Sequence, residues 1–227
     1  MNKKNLALIV IFSALLPFVS SFFYFVIFSG TLFAKLIYTF TKIFTLLAPI
    51  IFYKFGLKPK FKFNLKFDKR SLILGISSGL AINLAIFLLF KFGLHDLVRG
   101  SAPAITEKVR QFGVYDYYLQ FGAFISILHS LIEEYFWRWY LFGAIALIYP
   151  FRTAALLSSI AFSLHHIVVA EQYFGLSWGI PLGLCVGIGG YIWSILLAKT
   201  ESLTASWISH MLVDIYLLWI GYFVIYD

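Results

Sequence analysis

The stretch LIEEYFWRW, residues 131–139, sets two adjacent carboxylates, Glu133 and Glu134, and the guanidinium of Arg138 inside a long apolar run. Further on, FSLHH (162–166) ends in paired imidazoles, and HMLVD (210–214) places His210 four residues before Asp214. Charges in apolar surroundings are costly unless paired or hydrated, so such groups need a reason. Three chemistries suit them. A buried glutamate can take a proton from water while nearby donors hold an oxyanion, which is amide hydrolysis. Two imidazoles and a carboxylate with an open position can hold zinc. Chains of buried carboxylates and imidazoles can relay protons for transport.

Helical spacing sorts these groups. Glu134 and Arg138 are four apart, share a face, and can form an ion pair. Glu133 points about 100° away, on a stripe with His129 and Trp137. The two glutamates therefore take different jobs: Glu134 is neutralised by Arg138, and Glu133 faces a polar cavity. His210 and Asp214 also share a face, where the carboxylate can orient the ring.

The elements that must carry these residues are membrane spans. The chain has 227 residues, 61% hydrophobic and only 12% charged. A soluble domain is about one-quarter charged, so the composition is that of an integral membrane protein. Its net charge of +8 belongs to loops beside anionic lipid, and no nucleic-acid partner is expected. Crossing ~30 Å of hydrocarbon takes roughly 20 apolar residues. Runs of that kind fall near 5–28, 33–53, 71–92, 117–142, 152–170, 178–198 and 203–226. The expected fold is all-α, a polytopic bundle of about seven transmembrane helices in a single membrane-embedded domain, 1–227. The first run reads as a retained anchor rather than a signal peptide. The second is weakened by Lys35 and Lys42.

Between residues 54 and 70 seven bases face one acid, Asp68. The positive-inside rule makes this loop, and with it the N-terminus, cytoplasmic in a plasma-membrane protein. Seven spans then put Asp227 outside. The segment 95–116 reads as a balanced outer loop. Tyr115, Tyr117, Tyr118 and Trp178 fit an outer aromatic belt, and Trp137, Trp139 and Tyr140 an inner one. KPKFKFNLKF reads as a basic loop. Glycines 179, 183 and 187, and likewise 75 and 79, form small-residue stripes for helix packing. Pro17 and Pro49 should kink their helices, Pro181 suits a first turn, and the lone Cys185 reads as packing.

Counting about 1.5 Å per residue puts Glu133 ~14 Å, His210 ~10 Å, Asp214 ~16 Å and His166 ~21 Å from the inner face. Three helices thus bring ionisable groups to one slab. Bland readings stand beside this one. Glu134–Arg138 reads first as a structural clamp, and His129 and His165 as core or supporting histidines. The joint set of Glu133, His166, His210 and Asp214 favours function.

In order along the chain, EEYFWR (133–138) resembles the EExxxR motif of the CPBP family, the Abi-like CAAX-protease and bacteriocin-processing intramembrane proteases. FSLHH is similar to its FxxxH motif and HMLVD to its HxxxN/D motif. The resemblance covers about 117–227. It implies an intramembrane endopeptidase in which Glu133 activates water with help from His166. Glu134 and Arg138 would support Glu133, and His210 and Asp214 would stabilise the oxyanion or orient the reacting groups. It departs from the prenyl-processing branch, which resembles HxxxN, because Asp214 has no amide donor. A metal-free mechanism is the expectation; the metal alternative would use zinc on Glu133, His166 and His210. Substrates would be membrane proteins or lipidated peptides, cut near the cytoplasmic leaflet. The alternatives are a non-catalytic bacteriocin-immunity or partner-binding membrane protein and, behind it, an ion-coupled transporter.

Overall fold

The computed structural model describes residues 3–226. The expected placement of Asp227 lies outside the described residues, as does the side chain of Lys3. The described chain is helical with connecting loops and contains no strand. Among the described residues, six helical stretches are long and apolar enough to cross a membrane. They contain α1 (Lys3–Phe22), α2 (Leu32–Lys54), α3 (Lys69–Leu89), α9 (Phe151–Phe174), α10 (Leu176–Thr200) and α11 (Leu203–Tyr226). Large apolar side chains cover their outer surfaces, among them Leu36, Leu84, Leu184 and Ile188, as expected for helices facing lipid.

The seventh expected span is built differently. Residues 118–145 are helical throughout but alternate in type: α6 (Tyr118–Phe124), a π-helical turn, α7 (Ser130–Glu133), a longer π segment (Glu134–Phe142) and α8 (Gly143–Ile145). Its second half is sheathed by other elements, with residues 136–146 almost wholly buried. Low exposure to lipid explains how this segment carries three charges.

The segment 95–116, expected as a loop, contains two short helices, α4 (His95–Gly100) and α5 (Ala102–Gln111). Trp137, Trp139 and Tyr140, expected at an interface belt, are core residues instead, and Tyr118 is buried too. Aromatic rings read as belts from sequence here fill the bundle centre, where their polar tips find partners: Tyr140 Oη lies 2.8 Å from Ser13 Oγ. Cys185 faces outward from α10 rather than packing. Pro17 and Pro49 lie inside their helices, and Pro181 sits one turn deeper than expected.

Both glycine stripes do what their spacing implies. A Cβ at Gly183 would sit 2.3 Å from Ile167 Cγ1, and one at Gly179 2.9 Å from the Glu171 backbone. These close approaches lay α10 against α9, which Gly175 joins tightly with φ +72°. A Cβ at Gly75 would fall 2.8 Å from the Ala205 carbonyl oxygen, drawing α3 onto α11. Small residues permit such backbone contact, which matters where lipid removes the hydrophobic drive for helix pairing.

The basic loop is a strap rather than a free segment. Lys60 N–H donates to the Gly143 carbonyl at 3.0 Å, and Trp139 Nε1 donates to the Phe61 carbonyl at 3.0 Å. Leu203 N–H donates to the Asn64 carbonyl at 2.9 Å. Phe61 stacks on Phe142, and Phe63 meets Tyr135 and Trp139. Its lysines stay exposed while its backbone ties α8 and the start of α11 together.

Candidate active site

Glu134 is the first residue of the long π segment and has no exposed side-chain surface. Its Oε1 lies 3.5 Å from Arg138 Nε and accepts from His210 Nδ1 at 3.0 Å. The arginine contact is long for a hydrogen bond and acts as charge neutralisation. The guanidinium, equally buried, lies over two rings, 4.3 Å from the Phe162 centroid and 5.1 Å from that of Trp193. Gly190 leaves the room: a Cβ there would be 3.2 Å from Arg138 Nη2. This assembly connects the motif helix to α9, α10 and α11 at one point.

Glu133 occupies the other side. Its side chain keeps 12% exposure. His165 Nε2 lies 3.8 Å and His129 Nε2 4.0 Å from Oε1, and His210 Nε2 lies 3.7 Å from Oε2. The same His210 Nε2 is 3.7 Å from Asp214 Oδ1. With Nδ1 donating to Glu134, the other edge of His210 is presented to the space before Glu133. Trp193 stacks on that ring at 3.8 Å and 16°, and its Nε1 donates to Ser209 Oγ at 3.1 Å. The imidazole is therefore fixed in plane and in rotation.

His166 is held by its own helix. Its Nδ1 donates to the Phe162 carbonyl at 2.9 Å, leaving Nε2 as an acceptor. Phe162 meets its ring edge-on at 4.4 Å. Donor atoms of Glu133, His165 and His166 all lie within 4.8 Å of one another, so among the described residues this trio is placed to hold a metal ion. The set expected from sequence was Glu133, His166 and His210. In the structure His210 is committed to Glu134 through Nδ1, and His165 takes its place in the trio.

Glu133, Glu134, Arg138, His166, His210 and Asp214 thus meet in one cluster contributed by three stretches of chain. Sequence reasoning undervalued His165, which touches Glu133 and stacks on Trp137 at 5.1 Å and 3°. The HH pair was its only signal. Trp193 and Lys42, whose Nζ lies 2.9 Å from His129 Nε2, carried no motif signal at all.

Comparison with protein families bears on this cluster directly. Residues 116–216 match the family model for Rce1-like type II CAAX prenyl endopeptidases. The match agrees with the CPBP resemblance of the three motifs. The Rce1-like region begins just before α6 and ends two residues after Asp214, so it contains every motif residue of the cluster. The first three long helices and the strap lie outside it. Neither the curated proteins nor the solved structures give a match. The Rce1-like family is a protease family, so the match, which covers somewhat less than half of the chain, supports reading this integral membrane protein as an enzyme.

Proposed function

We propose that the chain hydrolyses a peptide bond close to the strap end of the bundle, with Glu133 as the base that activates water. The observation that carries this reading is the contrast between the two glutamates. Glu134 is sealed against Arg138, while Glu133 keeps an exposed edge with three imidazole nitrogens within 4.0 Å. Glu133 takes the proton of a water placed between it and the scissile carbonyl. Nε2 of His166, free to accept, helps to position that water. His210, aligned by Glu134, Asp214 and Trp193 and carrying a proton on both ring nitrogens as the imidazolium, presents Nε2–H toward the developing oxyanion. Glu133 then delivers its proton to the leaving amine.

The cleaved bond lies near the cytoplasmic leaflet. Gly143, which the strap holds, is ten residues from Glu133, about 15 Å along a helix. The strap's basic excess supports the cytoplasmic side under the positive-inside rule, in the plasma membrane. The substrate class is a membrane-held or lipidated peptide, with prenylated CAAX ends as the first candidates from the family description.

A metal-dependent form of the same reading would hold zinc on Glu133, His165 and His166, where the ion would supply an activated water. Cleavage of a fluorogenic prenylated CAAX peptide by protein in nanodiscs tests both forms. Glu133→Gln is expected to abolish turnover, and wild-type turnover by that variant would overturn the proposal. Activity that survives exhaustive chelation, with no stoichiometric metal in the purified protein, supports the metal-free form; restoration by zinc supports the other.

A further inference from the structure

Lys42 is a charged residue in a membrane-spanning helix that the hydrolytic reading does not use. It lies near the middle of α2, about 15 Å or more from either end, too deep for its stem to lift the ammonium to an interface. Among the described residues no carboxylate lies within 4.0 Å of it. Its Nζ is instead 2.9 Å from His129 Nε2 and 5.1 Å from the centre of the Tyr38 ring. The same His129 Nε2 is 4.0 Å from Glu133 Oε1, so the ammonium reaches the edge of the cluster through one shared nitrogen.

The charge inventory gives this contact a purpose. The cluster holds three carboxylates, Glu133, Glu134 and Asp214, and one arginine, which is spent on Glu134. Glu133 and Asp214 are left with imidazoles alone, although a buried carboxylate without a counter-charge is costly. Lys42 is the second cation. By donating to Nε2 it also keeps the His129 proton on Nδ1, which bars His129 from donating to Glu133 through the nitrogen that faces it. Glu133 is thereby stabilised as a carboxylate without being tied up in a hydrogen bond from His129. The residue comes from α2, outside the matched region 116–216.

We propose that Lys42 is a positioning residue of the site: it supplies the counter-charge for Glu133 through His129, and so makes α2 part of the working unit. This rests on the hydrolytic reading of Glu133, but its test does not need a substrate. Melting temperatures in detergent are measured for wild type, Lys42→Met, Glu133→Gln and the double variant, with a parallel cycle against Glu133→Met as a second neutral replacement in case Glu133→Gln folds poorly. Lys42→Met should lower the midpoint by roughly 4 °C in the wild-type background and by about 1 °C or less once Glu133 is neutral. Lys42→Arg should restore the wild-type midpoint. In the peptide assay Lys42→Met should reduce kcat by about tenfold with KM within about twofold, and Lys42→Arg should recover most of it. An equal loss of melting temperature in every background would make Lys42 a packing residue and overturn the proposal, as would no loss in any. Absence of turnover in the wild type would count against the hydrolytic reading while leaving the melting cycle intact.

Discussion

His210 bridges the two glutamates: its Nδ1 donates to Glu134 at 3.0 Å, while its Nε2 lies 3.7 Å from Glu133. One imidazole thus joins a sealed ion pair to an accessible carboxylate. The relationship assigns separate consequences to the loss of each acid.

Glu134→Ala should be a folding defect first. It leaves Arg138 buried without a counter-charge and His210 without its acceptor, a loss of about 3–5 kcal/mol for a broken buried pair. Glu133→Gln, isosteric and partly exposed, should melt within about 1 kcal/mol of wild type yet show no turnover. Denaturation in detergent beside peptide cleavage separates the two; equal destabilisation by both would refute the division of labour.

Why was so much of this site legible beforehand? A four-residue spacing brings His210 and Asp214 to one face of an α-helix, and it still brings Glu134 and Arg138 together in the wider turn of the π segment, while the glycine stripes permit close helix contact in any bundle. The aromatic residues were less legible. Trp137 and Tyr140 carry a polar tip on an apolar body, so their composition suits an interface and a core equally; only the burial of residues 136–146 decides. The π segment at Glu134–Phe142 has no sequence signature of its own. Lys42 looked like an interruption of a span because its partner, His129, is 87 residues away.

The strap offers a pH test outside the membrane. Asp68 caps α3 by accepting from Ser71 N–H at 2.8 Å, with Lys66 Nζ 3.5 Å away. The Ser71 backbone bond, aided by Lys66, holds its carboxyl below the usual value of 3.8. A depressed folded-state value means stability that is present above the unfolded value and lost as pH falls through the folded one. Asp68→Ala should therefore melt below wild type by a constant margin from about pH 7 down to about 5, with the margin shrinking below 3.8. A margin unchanged at the lowest pH would show that the charge is irrelevant.

Gly183→Ala probes the α9–α10 contact. The added methyl would meet Ile167 at Cγ1 and at the backbone Cα, 2.3 and 2.8 Å away, and backbone cannot rotate aside. Ile167 directly follows His166, so the displacement is passed to the cluster. Overpacking of this kind costs about 1–3 kcal/mol, and turnover should fall at least tenfold. Gly93→Ala, whose Cβ would meet nothing within 4 Å, is the control expected to match wild type in both. Parity of the two variants would dismiss the contact as a constraint.

Trp193 tests whether His210 must be held as well as present. Its indole lies 3.8 Å from the imidazole at 16°, and its Nε1 donates to Ser209 on the same helix as His210. Trp193→Phe keeps a stacking face but loses the donor, and should retain much of the activity. Trp193→Leu removes the flat face, and the ring gains freedom to turn out of plane about its bond to Glu134. A ring that samples other angles spends less time aimed at the reacting carbonyl, so kcat should fall by about tenfold or more with little change in KM. Arg138 loses one of its two rings in the same variant, which should also lower the melting temperature. The kinetic split is the decisive reading: a rise in KM at constant kcat would place Trp193 in substrate binding rather than in the alignment of His210.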